Sequence, residues 1–251
     1  MNEQFTPLVV AGFLVVALVV GRIVNRFMPK DYLNAETRDS MKLAVGWVAT
    51  MSALILGLLV NSAKTNYDIQ RNTVIQLSAK ISLLGRVLSL YGPETNDPRS
   101  QLRKATQGLV NDLWREQSAA KQDVALDTNA GNAIYIGIQS LSPRDDTQRA
   151  LKTQALTLAS QIGELRALLV AQSVAYISRP LLVVLTTWLV VIFLSFSVLA
   201  PRNTTAMTTL LVSAFSISGA IFLIVELDHP FSGLIRIPNE PLLRALSNMG
   251  T

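Results

Sequence analysis

Four long apolar blocks dominate the pattern of hydrophobic and polar positions along the chain. They cover residues 5–24, 43–60, 181–200 and 206–225, and each ends close to charged residues or a proline. A bilayer core of about 30 Å needs about 20 apolar residues in a helix. The blocks lack the period-two alternation of barrel strands, and only helices and closed barrels satisfy every backbone group in lipid. The pattern predicts an all-α integral membrane protein with four transmembrane helices.

The 61–179 segment, inserted between the second and third apolar blocks, carries apolar positions at helical spacings of three and four. From the second block they continue as a seven-residue repeat, which stops at Tyr91-Gly92-Pro93. Its members are Ala63, Tyr67, Val74, Leu77, Ile81, Leu84 and Leu88, with Gln70 as the one polar member. The second transmembrane helix is therefore predicted to continue beyond the lipid as one long helix.

A second seam precedes the third apolar block and predicts the returning helix of an antiparallel stalk. We place its start at Ser142-Pro143, as cap and first helical residue, and its end near Ser178. The apolar positions of this seam are Leu151, Ala155, Leu158, Ile162, Leu165 and Leu169. Two interpretations remain open: both seams pack within the chain, or part of each contacts other subunits.

The connector between the two seams and the C-terminal tail are predicted to contain shorter helices. One helix starts after Asp97-Pro98, a loop covers 121–132, and an apolar patch follows at 134–138. We divide the chain into a first transmembrane pair (1–60), a helical extramembrane domain (61–179), a second pair (180–226) and an interfacial tail (227–251). Within the tail, residues 239–248 predict a short amphipathic helix.

Composition narrows the function classes. Half of the residues are hydrophobic and only 16% are charged, with a mean hydropathy of +0.36, whereas soluble domains carry about 25% charged residues. There is no cysteine and only one histidine, His229, which excludes disulfides, thiolate sites and multi-histidine metal sites. Glycine-rich phosphate-binding loops are also missing. We predict that the protein is not an enzyme and uses no cofactor or metal.

The net charge of +5 comes from basic residues that are dispersed or flank the apolar blocks. This distribution favours contact with the lipid bilayer over nucleic acid. The loop between the first two blocks carries Arg22, Arg26, Lys30, Arg38 and Lys42, so the positive-inside rule places it in the cytoplasm. The N-terminus, the 61–179 domain and the C-terminus are then predicted on the outer side. The first block has no basic segment before it, so we expect it to be retained and not cleaved as a signal peptide.

The second block carries a stripe of small or polar residues at steps of three and four. The stripe residues are Gly46, Thr50, Ala53, Gly57, Asn61 and Lys64. Small side chains let helices pack closely in lipid, and polar groups in membranes tend to face a bundle interior or a water-filled path. The stripe therefore predicts either close helix packing or the lining of a pore.

The fourth block offers a second polar face, formed by Ser216 and Gly219 and ending at Glu226. Helix packing and an ion track are both consistent with this face. Glu226 and Asp228 reach the same predicted membrane boundary as Lys64 and Arg179. These interfacial charges either pair with one another or remain solvated, and exposed pairs contribute only about 0–1 kcal/mol.

Four short stretches resemble a bacterial membrane-protein family described as bestrophin-like. They are 37–40 (TRDS), 46–50 (GWVAT), 57–64 (GLLVNSAK) and 226–235 (ELDHPFSGLI). The resemblance implies a location in the bacterial inner membrane, with the outer side being the periplasm. Through the bestrophins it also implies homo-oligomeric anion channels with four spans per subunit. No run of acidic residues resembles the bestrophin calcium clasp, so calcium gating is not implied.

Together, these features predict a homo-oligomeric channel for small inorganic ions with a pore lined by the second transmembrane helix. The alternative is a non-conducting scaffold or sensor whose helical domain binds a partner in the envelope.

Overall fold

The structure, a computed structural model, describes residues 6–27, 34–114, 128–173, 179–201, 203–231 and 233–249. Within these residues the chain is helical and contains no strand, which confirms the all-α prediction. The helices are α1 (Thr6–Phe27), α2 (Ala35–Tyr91), α3 (Asn96–Trp114), α4 (Thr128–Gln139), α5 (Asp146–Ser173), α6 (Arg179–Leu199), α7 (Thr204–Leu227) and α8 (Glu240–Asn248). A 3₁₀ turn, Pro93–Thr95, lies between α2 and α3.

Four of the described helices, α1, α2, α6 and α7, are long and apolar enough to cross a membrane. They contain the four apolar blocks of the sequence, and α2 is one continuous helix from Ala35 to Tyr91, as predicted. The helices α1, α6 and α7 each extend a few residues beyond the apolar core of their block. Polar ends of this kind suit the headgroup regions on either side of the hydrocarbon.

One compact unit comprises residues 1–66 and 176–228. In it, α1 packs against both α6 and α7. Its apolar core contains Leu14 and Leu18 of α1, Leu59 of α2, Leu189 of α6 and Ile221 of α7. The start of α7 is capped by Asn203, whose side-chain oxygen accepts a hydrogen bond from the Ala206 amide at 2.8 Å.

The second compact unit comprises residues 67–175 and 229–251. Its core is formed by the predicted seams. Val74, Leu77, Ile81, Leu84 and Leu88 of α2 are almost fully buried, together with Ala155, Leu158, Ile162, Leu165 and Leu169 of α5. The packing of the seams within the chain is therefore confirmed for these residues. Gln70, the polar member of the seam, is also buried.

The end of α2 follows the predicted breaker. Gly92 adopts φ 128°, a backbone conformation that residues with a Cβ rarely take. The Thr95 hydroxyl then donates to the Leu88 carbonyl at 2.6 Å and satisfies one of the last carbonyls of α2. The helix is thus ended by a glycine turn and a buried threonine.

The predicted start of the returning helix was wrong by a few residues. We expected Ser142 as the cap and Pro143 as the first helical residue, but α5 begins at Asp146. Asp145 is the cap, because its carboxylate accepts a hydrogen bond from the Gln148 amide at 2.6 Å. A carboxylate is favoured at this position because it also interacts with the positive end of the helix dipole. The predicted extension to Ser178 lies partly outside the described residues.

Two further boundaries in the connector differ from expectation. The helix α3 begins at Asn96 and includes Pro98, which is tolerated because amides in the first turn have no intrahelical partner. Of the predicted loop 121–132, residues 121–127 lie outside the described residues, and the last five, 128–132, are helical. The apolar patch 134–138 falls within α4, where Ile134 and Ile138 are buried. Asn and Gly residues in the first turns of α4 masked this helix in the sequence.

Candidate functional site

The small or polar stripe of α2 lies on the surface of its own unit. Gly46, Thr50, Ala53, Gly57, Asn61 and Lys64 are all exposed. The opposite face of the same helix is buried through Val45, Ser52, Leu59 and Ala63. The stripe therefore faces away from the helices of its own unit.

The stripe glycines have open space beside them. A Cβ atom added at Gly46 or at Gly57 would meet no neighbouring atom within 4 Å. Glycines that serve close helix packing leave no such space, because a neighbouring backbone or side chain occupies it. Among the described residues of one copy, no packing contact therefore occupies the space beside Gly46 and Gly57.

The membrane part of α2 also exposes a face of large apolar residues next to the stripe. Trp47, Leu54 and Leu58 are 71%, 60% and 66% exposed. Such side chains suit lipid or the apolar surface of a neighbouring subunit. The helix therefore presents two chemically different exposed faces, one of large apolar side chains and one of small or polar side chains.

The polar face of α7 is exposed as well. Ser216 and Gly219 are exposed, and a Cβ added at Gly219 would meet nothing within 4 Å. The Ser216 hydroxyl donates to the Val212 carbonyl at 2.9 Å, and the Thr50 hydroxyl of α2 donates to the Gly46 carbonyl at the same distance. A hydroxyl bonded in this way to its own helix is inexpensive in lipid and still offers its oxygen as an acceptor.

The structure describes the side chains of three of the four predicted interfacial charges. Glu226 and Asp228 are half-buried, and Lys64 is exposed. All three interact with other groups of the protein, so none of them is an isolated charge. Arg179 is the first residue of α6, and its side chain lies outside the described residues. Ion pairing among these four residues stays a prediction.

The contacts that hold α1 against α6 were not predicted from the sequence. A Cβ at Gly21 would lie 2.7 Å from the Leu194 carbonyl oxygen and 2.7 Å from the Ser197 Cβ, so only glycine fits there. The Ser197 hydroxyl donates to the Leu18 carbonyl at 2.6 Å. Asn25 donates to the Val198 carbonyl at 2.5 Å. The one sequence signal was a glycine close to polar residues at the end of an apolar block.

A similar contact joins α1 to α7. The buried Ser218 hydroxyl donates to the Pro7 carbonyl at 3.0 Å, near the start of α1. The contacts with α6 lie near the ends of both helices, whereas this one joins the start of α1 to the second half of α7. Therefore α1 runs parallel to α6 and antiparallel to α7, as expected if α1 and α6 cross the membrane in the same direction.

The C-terminal segment packs onto the helices of the second unit. Trp114 of α3 donates through Nε1 to the Ile237 carbonyl at 2.8 Å. Its ring packs edge to face against the Phe231 ring, with the two ring centroids 5.3 Å apart. On α8, Leu242 and Ala245 are buried in the same core. This anchoring was not predicted, because the pattern of the tail indicated a separate interfacial segment.

Among the residues that the structure describes, no group of three or more His, Asp or Glu side chains is arranged to hold a metal ion. The chain has no cysteine. The polar groups of the candidate site are hydroxyls, amides and exposed backbone next to glycines. Such groups can pass or coordinate ions along a path.

Comparison with known proteins finds one family model, described as the Bestrophin-like domain, that matches residues 11–242. No curated protein matches the chain. Several solved structures share its fold. A bacterial bestrophin homolog from Klebsiella pneumoniae has a TM-score of 0.65 at 14% identity, covering 94% of this chain and 96% of that chain. A point variant of that homolog has a TM-score of 0.65 at 16% identity, covering 99% and 98%.

A third solved structure, described as a membrane protein, has a TM-score of 0.66 at 14% identity. It covers 96% of this chain and 97% of that chain. At such identities the likeness concerns the fold alone. It extends over nearly the full length of each chain, so it includes both compact units.

Proposed function

This chain belongs to the Bestrophin-like family, and from that premise we propose that it forms a homo-oligomeric channel for small ions. It is a multi-pass membrane protein with four apolar helices. The proposed conducting path is lined by the α2 stripe, from Gly46 to Lys64. The observation that carries this proposal is that the stripe faces away from its own unit, while a Cβ added at Gly46 or Gly57 would meet no atom of the described residues within 4 Å.

An exposed residue of a membrane helix meets lipid, water or another subunit. A single copy in lipid would present Asn61, Lys64 and the Thr50 hydroxyl to hydrocarbon or headgroups, although large apolar side chains are available on the neighbouring face of α2. Several copies around an axis would turn the polar stripe toward a shared wet path and the apolar face toward lipid or neighbouring subunits. Polar groups in membrane helices usually face the interior of a bundle or a water-filled path, as they would in the assembly of several copies.

Exposed apolar residues of the second unit support assembly into a homo-oligomer. The outer part of α2 exposes Ile69, Ile75, Leu83 and Leu90, each by more than 40%. This is the predicted extramembrane part of the protein, where exposed aliphatic side chains carry a hydration cost that a second copy of the chain can remove. Native mass spectrometry of the solubilised protein should give one defined multiple of the chain mass. A monomer at all concentrations would contradict the proposal.

Conduction is tested by filling the stripe. Gly57→Leu should reduce ion flux into liposomes by about tenfold or more, because a side chain is added at a narrow wet path. Gly12→Leu is the matched control, since Gly12 is also an exposed glycine of a membrane helix with nothing within 4 Å of an added Cβ. The control should retain wild-type flux. The assembly mass of both variants is measured alongside.

Three outcomes would overturn this assignment. Tight liposomes with the wild-type protein would favour the scaffold or sensor alternative, in which the helical unit binds a partner. Loss of flux in Gly57→Leu together with a changed assembly mass would instead assign the stripe to packing between subunits. Equal flux in Gly57→Leu and wild type would place the path elsewhere.

We further propose that the path prefers anions, because Lys64 is the charged residue at the end of the stripe. A cationic ring at a pore mouth raises the local concentration of anions and repels cations. Lys64→Glu should lower the permeability ratio of chloride to sodium by about twofold or more, whereas Lys64→Arg should leave it unchanged. An unchanged ratio in the glutamate variant would exclude Lys64 as a selectivity determinant.

The proposed location is the bacterial inner membrane, with the N-terminus, residues 61–179 and the C-terminus in the periplasm. The support is the excess of basic residues between the first two apolar blocks. The absence of cysteine makes a direct test simple. A single cysteine introduced at the exposed Ser89 should react with a membrane-impermeant maleimide in intact spheroplasts. Labelling only after lysis would reverse the orientation.

A further inference from the structure

A cavity of about 230 Å³ lies among α2, α3, α4 and α5 of the second unit. Most of its wall is aliphatic and includes Ile81, Leu84, Leu102, Leu109, Ile134 and Ile162. None of the stripe residues of α2 lines it. An apolar cavity of about 150 Å³ is large enough to hold benzene, so this cavity has room for roughly nine non-hydrogen atoms by the same ratio.

The polar side chains in the wall are those of Thr106, Asn132, Tyr135, Ser160 and Arg166, and the two aliphatic hydroxyls among them donate within their own helices. The Thr106 hydroxyl donates to the Leu102 carbonyl at 2.7 Å, and the Ser160 hydroxyl donates to the Thr157 carbonyl at 2.8 Å. Each proton is therefore already used within its own helix. A buried water needs two to four polar partners, whereas an apolar chain needs only the aliphatic wall. The interior suits a hydrocarbon group.

One edge of the cavity is chemically different. Among the described residues that line it, Arg166 is the only charged one, and no carboxylate faces the cavity. Arg166 also interacts with another group of the protein. A guanidinium has five N–H donors, so it can serve a second partner as well. The cavity thus combines an apolar interior with a single positive charge.

The wall beside Arg166 is built from small residues of α5. Ala159 and Gly163 precede Arg166 by seven and three positions, so all three lie on one face of the helix, and all three line the cavity. Gly163 is exposed, and a Cβ added there would meet nothing within 4 Å. The cavity is therefore open to the surface beside the charged edge.

From this geometry we propose that the cavity binds a medium-chain monocarboxylate, with its alkyl chain among α2, α3, α4 and α5 and its carboxylate on Arg166. The volume of the cavity sets the length of the alkyl chain, and the guanidinium of Arg166 favours a negatively charged head group. The site lies within one unit and does not depend on whether the protein conducts ions.

The test is calorimetric titration of the full-length protein in lipid nanodiscs with octanoate, octan-1-ol and acetate. Octanoate should bind saturably, acetate should not bind measurably, and octan-1-ol should bind more weakly than octanoate. Arg166→Gln should weaken octanoate binding by about tenfold, because a charge-assisted hydrogen bond is lost. Octan-1-ol binding should be unchanged in this variant. Arg166→Lys should retain part of the octanoate affinity.

Gly163→Leu tests the position of the alkyl chain, because the new side chain projects from a wall of the cavity. It should abolish saturable binding of both octanoate and octan-1-ol without lowering the unfolding temperature of the unliganded protein. Gly108→Leu and Arg103→Gln are the matched controls. Both residues lie on α3 and do not line the cavity, and an added Cβ at Gly108 meets nothing within 4 Å. Both controls should bind as the wild type does.

Three results would overturn the proposal. Equal octanoate affinity in Arg166→Gln and wild type would show that the carboxylate does not bind Arg166. Undiminished octanoate binding in Gly163→Leu would show that the alkyl chain does not lie in the cavity. A strongly lowered unfolding temperature of unliganded Gly163→Leu would mean that another part of the chain already fills the space.

Discussion

The two compact units are both helical, but different contacts hold their helices together. In the first unit, α1 packs apolar side chains against α6 and α7. It also meets them through a glycine with no room for a side chain and through hydroxyls and an amide that donate to carbonyls of the neighbouring helix. In the second unit, α2 and α5 meet through rows of buried leucine, isoleucine and valine. Lipid tails are as apolar as leucine, so burial of leucine drives association in water and not in a membrane.

The helix α2 contributes to both units, and its buried face follows this difference. In the first unit that face consists of Val45, Ser52, Leu59 and Ala63. In the second unit it is richer in large aliphatic residues, including Leu77, Leu84 and Leu88, although Gln70, Thr73 and Ser78 are also buried. The seven-residue spacing is the same in both parts, since a helix repeats its faces at this interval in either solvent. What changes is the type of residue that gives a stable contact.

The largest effect should come from emptying the core of the second unit. Leu77 is fully buried in the α2 seam, and Leu77→Ala should lower the free energy of unfolding by about 2–5 kcal/mol. Leu234→Ala, at a residue that is 82% exposed, should lower it by less than about 0.5 kcal/mol. Denaturant unfolding followed by tryptophan fluorescence measures both. Equal losses would mean that the seam does not supply the stability of this unit.

The next effect should come from adding a single methyl group in the first unit. Gly21→Ala places a Cβ 2.7 Å from the Leu194 carbonyl oxygen, so the two helices must move apart at a cost of about 1–3 kcal/mol. Gly12→Ala has open space and should be neutral or stabilising by up to about 1 kcal/mol, since alanine favours helix more than glycine does. Resistance to unfolding in dodecyl sulfate measures both. A lower resistance in Gly12→Ala than in Gly21→Ala would contradict the close packing of α1 and α6 at Gly21.

The smallest effects should have opposite signs in the two units. Ser197→Ala removes a hydrogen bond between α1 and α6 and should lower stability by about 0.6 kcal/mol, the average for such bonds in membranes. Tyr91 of the second unit is buried, and its hydroxyl makes no hydrogen bond to the described residues. Tyr91→Phe should therefore raise stability by about 1 kcal/mol, because an unsatisfied hydroxyl is removed. Thermal unfolding of both variants in the same nanodiscs gives the comparison.

The seams and the stripe show how far the sequence could be interpreted. The buried positions Val74, Leu77, Ile81, Leu84 and Leu88 of the α2 seam were predicted, because apolar residues at spacings of three and four form one face of a helix. The stripe was identified, but its direction was not, since small residues suit close packing and a wet path equally well. Gly21 and Ser197 were missed because each is an ordinary residue within its own helix, and their importance arises only where the two helices meet.

By itself, the sequence determined the solvent and much of the local structure. Four apolar blocks require lipid, the breaker at Gly92 determines where α2 ends, and the spacing of the seams determines which face of each helix is buried. These properties depend on neighbours along the chain. Tertiary structure decided that the stripe faces away from its own unit, that the C-terminal segment is anchored by Trp114, and that a cavity opens beside Arg166. Those properties depend on distances between residues far apart in the chain, and local pattern does not contain them.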